Sequence, residues 1–99
     1  MRILMILTLS LTANLVFGQK EVIWEGGTPG NETNWNESRN WSDDRVPDEF
    51  SDVIIPDVSS TTRSNPIIEE GTFELNSLRL NSNAILTLET KAELIIYTT

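Results

Sequence analysis

The last third of the chain repeats one short apolar pattern every eight residues. Two apolar residues separated by one position occur at Leu78 and Leu80, at Leu86 and Leu88, and at Leu94 and Ile96. Residues two apart in a β-strand point to the same face, so each pair places two apolar side chains on one side of a strand. The repeat therefore predicts short strands with apolar faces that pack together.

The eight-residue period is compatible with two arrangements of strands. In a small antiparallel meander or sandwich, each strand reverses direction. In a β-solenoid, each unit forms one side of a coil, three units complete the coil, and leucine stacks over leucine. The matching positions favour parallel stacking, yet three units make only one coil, whereas solenoids bury a continuous core from about three repeats upward. The residue pattern leaves both arrangements open.

The rest of the chain also indicates strands. No window after residue 18 has apolar residues at helical spacing over two turns, whereas alternation with period 2 recurs. Four prolines, at positions 29, 47, 56 and 66, interrupt the chain at nearly regular intervals, as they do between short strands. We predict an all-β fold.

Three regions follow one another along the chain. Residues 1–18 have a charged start at Arg2, an apolar run and small residues at Val16 and Gly18, which is the pattern of a secretory signal peptide cleaved after Gly18. The run is shorter than the about 20 residues of a bilayer span, so we expect a secreted or cell-surface protein without a membrane segment in its mature form. Residues 19–70 form a Trp-rich capping region, and residues 71–99 form leucine-repeat strands.

Composition excludes several classes of function. The chain has no cysteine and no histidine, which removes thiolate and Ser-His catalysis as well as Cys- and His-based metal sites. It has 15 acidic and 7 basic side chains, one of which is Arg2 in the signal, so the mature chain carries a formal charge of −9. Such a surface repels phosphates, and we expect no nucleic-acid partner.

The final strand is apolar on both faces. Ile95 and Tyr97 alternate with Leu94 and Ile96. A strand with two apolar faces needs other structure packed against both of them. We therefore expect residues 71–99 to be an incomplete domain. The chain would be the N-terminal part of a longer protein, or would complete its core against further solenoid rungs or another chain at the C-terminal edge. The six repeat residues would form the interior of a single coil, and the isolated chain would be marginally stable or self-associate.

A series of short motifs supports a family resemblance. These motifs are Trp24-Glu-Gly-Gly, Trp35-Asn, Asn40-Trp41-Ser, Val46-Pro47, Asp52-Val-Ile-Ile-Pro56, Pro66-Ile67 and the three leucine pairs. In order and spacing they resemble the N-terminal module of secreted and surface proteins of the Bacteroidetes, many of which are substrates of the type IX secretion system. The resemblance implies the start of a right-handed parallel β-helix with a Trp-rich N-terminal cap. A weaker likeness to the G8 domain of animal surface proteins lacks most of that domain's glycines.

The tryptophans and neighbouring asparagines are the candidate ligand site. Indole faces stack on sugar rings and carboxamides bind hydroxyls, which makes Trp35, Asn36, Asn40 and Trp41 candidates for contact with a surface glycan. In a chain so poor in apolar residues, we favour the alternative that the rings close the end of the solenoid. The predicted function is therefore an exported non-enzymatic structural or adhesive module, with a carbohydrate-binding module as the alternative.

Acidic side chains raise two further hypotheses. Asp43, Asp44, Asp48 and Asp52 could together bind calcium through their oxygens, but the spacing lacks the glycine and glutamate of an EF-hand loop. Paired carboxylates could cleave glycosides, but 15 acids can be paired in too many ways to be specific. We predict solvated turns rather than a metal site, no cofactor and no enzyme.

Overall fold

The computed structural model describes residues 20–98, so the predicted signal peptide lies outside the described residues. Those residues are almost entirely strand and loop, which confirms the all-β prediction. The strands are β1 (Lys20–Ile23), β2 (Ser51–Ile55), β3 (Ile67–Leu75), β4 (Ser77–Leu80) and β5 (Thr87–Ile96), with one 3-10 turn at Ser38–Asn40. No helix within residues 20–98 is long and apolar enough to cross a membrane.

All pairings between these strands are parallel. One sheet has the order β1-β2-β4, and β3 pairs with β5 in a second sheet. In the first sheet Val22 lies beside Val53, and Val53 lies beside Leu78. Antiparallel pairing in the described residues is confined to an isolated bridge between Trp24 and Trp41. The antiparallel meander considered from the sequence is therefore wrong.

The chain passes from one sheet to the other at a single-residue corner. Asn76 separates β3 from β4, and its backbone N–H donates to Ser51 O at 2.9 Å. Its side-chain Nδ2 donates to Asp52 Oδ1 at 2.7 Å. One level further on, Thr98 donates its backbone N–H to Asn76 O at 2.7 Å. The corners of successive levels therefore lie in register: their backbone groups bond to one another, and the side chain of Asn76 bonds to that of Asp52.

The leucine repeat spans one level of the stack, from the corner at Asn76 to Thr98, but Leu88 and the last leucine pair share one strand and do not form two separate sides. Leu94 lies beside Phe73 and Leu78 beside Val53, so the repeat stacks on earlier residues and not on other copies of itself. Leu88 and Leu94 belong to one strand, because β5 runs unbroken through residues 89–91. Parallel pairing with β3 holds this segment extended. β3 also crosses the predicted region boundary between residues 70 and 71.

An irregularity in the second sheet lies directly before a glycine. Between Ile68 and Glu70 the strand β3 advances two residues, whereas β5 advances three, from Leu88 to Lys91, so β5 carries the extra residue. Gly71 follows directly with φ of 103°, a conformation that side-chain-bearing residues rarely adopt. Its freedom lets β3 change which residues face inward, since Ile68 and Leu75 are both buried although they are seven positions apart.

The core lies between the two sheets and beneath the Trp-rich region. Its fully buried apolar members are Val22, Trp24, Trp35, Trp41, Val53, Ile55, Ile68 and Leu75. Among the repeat residues, Leu78, Leu86 and Leu94 are only partly buried against this core, and the others are exposed. The predicted interior of six repeat residues is thus corrected: earlier strands and the tryptophans supply most of it.

Burial falls sharply from one level of the stack to the next. Ile55 is 0% exposed, whereas Leu80, its partner in β4, is 47% exposed. Likewise Leu75 is 0% exposed, whereas Ile96, its partner in β5, is 37% exposed. Neighbours in a parallel register point to the same face, so these exposed side chains continue the core columns without being covered.

This gradient predicts unequal effects of the same substitution. We expect Leu75→Ala to reduce the free energy of unfolding by about 2–5 kcal/mol, because it leaves a cavity. The matched substitution Leu80→Ala should cost about 1 kcal/mol or less, because that side chain is already half in water. Urea unfolding of the exported protein measures both values. Equal losses would contradict the gradient.

Candidate functional site

The three tryptophans form one buried aromatic cluster, which we call the tryptophan cap. Trp41 is central, with ring centroids 5.0 Å from Trp24 and 4.7 Å from Trp35, both in edge-to-face geometry. Such pairs add about 0.5–1.5 kcal/mol beyond the burial of their area. None of the three side chains is more than 1% exposed. The three rings are therefore packed inside the described part of the chain.

Hydrogen bonds orient two of the indole rings. Trp41 Nε1 donates to Trp35 O at 2.8 Å. Trp24 Nε1 donates to Ser64 O at 2.7 Å. A Cβ atom at Gly26 would lie 2.8 Å from Trp24 Nε1 and 2.9 Å from Ser64 O, so glycine is required where the chain passes this bond. The loop before β3 is thereby anchored to the cap.

Asn40 organises the loop that carries the cap. It is 0% exposed, and its Oδ1 accepts from the backbone N–H of Thr28 at 3.0 Å and from the Thr28 hydroxyl at 2.5 Å. Its Nδ2 donates to Asn31 O at 2.8 Å and to Asn34 O at 3.0 Å. A carboxamide accepts through its oxygen and donates through its nitrogen, so it can bond a backbone N–H and backbone carbonyls at once. This explains the asparagine at position 40.

The structure separates the four sugar-binding candidates. Trp35, Asn40 and Trp41 are buried, and only Asn36 is exposed. Both rings are buried in edge-to-face or tilted contact with other rings, so they offer no exposed face to a sugar. The polar atoms of Asn40 are already committed to the backbone.

A polar cleft of about 210 Å³ lies beside the cap. Asn34 and Asn36 line one side, and Glu69, Glu70 and Phe73 of β3 line the other. Trp35 also lines the cleft. Its Nε1 is buried and has no hydrogen-bond partner within the described residues. Sequence reasoning missed the β3 side of this cleft, because nothing local links residues 69–73 to the asparagines more than thirty positions earlier.

The four calcium candidates do not converge on a shared site. Asp43 Oδ2 lies 3.3 Å from Lys20 Nζ. Asp48 Oδ1 accepts from the backbone N–H of Phe50 at 2.9 Å, and Asp52 Oδ1 accepts from the Ser77 hydroxyl at 2.6 Å. Asp44 is exposed at a turn with φ of 60°. Within residues 20–98, no three acidic side chains are grouped so as to hold a metal ion.

The shifted pKa values have local causes at the surface. Hydrogen bonds from Arg39 lower the pKa of Glu37, and hydrogen bonds from Ser59 lower the pKa of Asp57. A hydrogen bond to Glu74 raises the pKa of Tyr97. A carboxyl group whose pKa is lowered by folding stabilises the folded protein at pH values above its pKa in the unfolded chain. That contribution is lost as the pH falls through the pKa of the folded state. These groups hold turns and strand ends together.

At the other end of the stack lies an apolar edge, which we call the open end. It consists of the free edges of β4 and β5 with the exposed side chains of Leu80, Leu88 and Ile96. Leu88 is 44% exposed although its partner Ile68 in β3 is 1% exposed. An apolar edge with unpaired backbone groups favours the addition of another strand.

No known protein family, curated protein or solved structure matches the chain.

The Asn40 network yields a prediction about the cap. We expect Asn40→Ala to lower the free energy of unfolding by about 2 kcal/mol or more, because it leaves the buried backbone N–H of Thr28 without an acceptor and removes one of the two donors to the carbonyls of Asn31 and Asn34. Asn36→Ala, the matched control at an exposed site, should change it by about 0.5 kcal/mol or less. Urea unfolding followed by tryptophan fluorescence measures both. A neutral Asn40→Ala would show that the network does not hold the cap.

Proposed function

We propose that the chain is an exported, non-enzymatic structural or adhesive module that closes one end of a parallel β-structure. In this proposal it is the N-terminal part of a right-handed parallel β-helix, as the motif resemblance implies. The observation that carries the proposal is the fall in burial between registered neighbours, from Ile55 to Leu80 and from Leu75 to Ile96. One end of the stack is closed, and the other is ready for more strands.

The closed end is supported by contacts at both sheets. On β1, Ile23 donates its backbone N–H to Ser42 Oγ at 3.0 Å and accepts from the Ser42 N–H at 3.0 Å. On β3, Ile67 donates to Thr33 O at 2.8 Å and accepts from the Trp35 N–H at 3.2 Å. The segment that carries the tryptophan cap thus occupies backbone groups that would otherwise pair with a preceding strand.

The partner that fits the open end is a further parallel coil. Thr98 already repeats the corner of Asn76, since both its backbone N–H and its hydroxyl donate to that residue. A chain continuing from this corner would run beside β4 and cover Leu80. It would then return beside β5 and cover Leu88 and Ile96. Each added level buries the apolar columns of the level before it, as in other solenoids.

Composition supports the non-enzymatic and exported parts of the proposal. Without histidine or cysteine, acid–base catalysis would depend on carboxylates, lysine or tyrosine, and Asp48 and Asp52 are engaged in hydrogen bonds that hold turns and corners. The proposed export rests on the sequence of residues 1–18. A formal charge of −9 after cleavage suits an exposed exported surface.

Adding a coil tests the proposal directly. The corner residues Asn76 and Thr98 are 22 positions apart, so a second copy of residues 77–98 placed directly after Thr98 has the correct spacing. We expect this extension to raise the urea midpoint of the exported protein, because each covered aliphatic side chain contributes on the order of 1 kcal/mol. Urea unfolding and the binding of a hydrophobic dye measure the change.

The matched control has the same added segment with its leucines replaced by serines. The control should leave the urea midpoint unchanged and should not reduce dye binding. If the leucine-containing extension also fails to stabilise the protein, the open end does not accept a further parallel coil, and the proposed function is wrong.

A second candidate function, glycan binding, is favoured by the polar cleft. Its carboxamides and carboxylates can bond sugar hydroxyls beside Phe73, whereas the predicted tryptophan platform is buried. Under the structural proposal we expect no change in tryptophan fluorescence when polysaccharides are added. A saturable change that Glu70→Ala and Asn36→Ala both abolish, without loss of fold, would favour the carbohydrate-binding alternative.

A further inference from the structure

We propose that the polar cleft beside the tryptophan cap binds an arginine side chain on an extended segment of a partner protein. The cleft lies between the segment that carries the cap and β3, whereas a further coil would pair with β4 and β5. The two surfaces are therefore separate, and a coil added at the open end leaves the cleft accessible. Arginine binding goes beyond the proposed structural role, because it gives an adhesive module the chemistry of its partner.

The cleft forms where the segment that carries the cap turns away from β3. Asn34 and Ile67 form a single parallel bridge. On one side of it, Ile67 N–H donates to Thr33 O at 2.8 Å, and on the other, Trp35 N–H donates to Ile67 O at 3.2 Å. The segment then turns at once, because Glu37 N–H donates to Asn34 O at 3.1 Å. Its pairing with β3 therefore ends after one residue.

This turn leaves Glu69 of β3 without a strand partner. Among residues 20–98, Glu69 has no partner in the register with β5, and neither of its backbone groups bonds to residues 33–37. Backbone groups alternate in direction along a strand, so those of Glu69 face the same side as those of Ile67. An extended segment can add to a strand at such a point through main-chain hydrogen bonds, while a pocket selects one of its side chains.

The charge of the cleft selects a cation as that side chain. Glu69 and Glu70 both line the cleft and are exposed. The ion pairs of the described part of the chain involve neither carboxylate, nor Lys91, which lies beside Glu70 in the register. The cleft has no basic side chain in its lining. A guanidinium donates several N–H groups in one plane and can bond a carboxylate in two places.

The other walls of the cleft also suit an arginine side chain. Phe73 is half-buried in its lining, and a planar guanidinium stacks on an aromatic ring. Ile67 is half-buried there too and can contact the aliphatic stem. The volume of about 210 Å³ is smaller than the about 300–1,000 Å³ of pockets for drug-sized ligands. The cleft therefore fits one side chain and not a larger molecule.

Trp35 supplies an unused hydrogen-bond donor at the same place. Its side chain is 1% exposed and lines the cleft, and its Nε1 has no partner among the described residues. The indole N–H groups of Trp24 and Trp41, in contrast, both donate to backbone carbonyls. A guanidinium has no acceptor, so the ligand needs an acceptor beside its cation. A backbone carbonyl of the arginine-bearing segment is such an acceptor.

NMR titration of the exported protein with a short peptide tests this site. The probe is acetyl-Ser-Thr-Arg-Thr-Ser-amide. The matched control has citrulline in place of arginine, which keeps the shape of the side chain but removes its charge. We expect saturable binding of the arginine peptide at millimolar concentration. Citrulline should weaken the affinity about tenfold, because hydrogen bonds between two charged groups are stronger than those to a neutral donor.

Variants of the protein locate the binding. Glu69→Gln and Glu70→Gln should each weaken the affinity for the arginine peptide about tenfold, since each removes one charged acceptor. Glu21→Gln makes the same charge change at an exposed position of β1, in the other sheet, and should leave the affinity unchanged. Equal losses in all three variants would show only a general attraction to the acidic surface and would overturn the site.

The indole N–H signals report whether the peptide reaches Trp35. The signal that disappears in Trp35→Phe belongs to Trp35, and assignment through the backbone identifies it if that variant does not fold. We expect the arginine peptide to shift this signal more than those of Trp24 and Trp41, whose N–H groups already have acceptors. Binding that leaves the Trp35 signal unmoved would contradict the placement of the ligand.

The remaining outcomes also decide the question. Equal affinity for the arginine and citrulline peptides, or no binding at millimolar concentration, would overturn arginine recognition. Binding of maltohexaose, a neutral oligosaccharide, without binding of the arginine peptide would overturn it in favour of the carbohydrate alternative. The added coil is tested by urea unfolding at the open end, so failure there is distinguishable from failure at the cleft.

Discussion

Parallel pairing to both sides of β2 is the interaction on which the described structure depends. β2 lies between β1 and β4, and its register aligns Val22, Val53 and Leu78 in one column. Parallel strands need crossover connections, so the chain must leave the sheet and return at a new level each time. β3 lies in the connection from β2 to β4, and it pairs with β5 to form the second sheet.

The two ends of the stack differ in how far the core is covered. At one end the tryptophan cap covers the core with three rings and secures its loop through the buried carboxamide of Asn40. At the other end Leu80, Leu88 and Ile96 extend columns that are fully buried one level earlier. The proposed structural role is one way of covering this surface, and the addition of β-strands is the physical process that it uses.

Several features were predictable because they depend on local pattern. The absence of helical periodicity, the spacing of the prolines and the alternation of apolar residues predicted an all-β chain, and the strands confirm it. The low apolar content favoured burial of the tryptophans, which form the cap cluster. The apolar C-terminal strand indicated an uncovered edge, which agrees with the exposure of Ile96 and Tyr97.

By itself, the sequence determined the class of structure, the packing role of the tryptophans and the presence of an apolar C-terminal edge. These follow from side-chain chemistry and from periodicity within a few residues. Only the tertiary structure decided that leucine pairs stack on Val53, Ile55, Phe73 and Leu75, and that Glu69 and Glu70 meet the asparagines in one cleft. Register between parallel strands is set by contacts 20 or more positions apart, through the corner at Asn76 and the irregularity at Gly71. An eight-residue repeat contains no information about such distant partners, because the same alternation suits any neighbour with a matching apolar face.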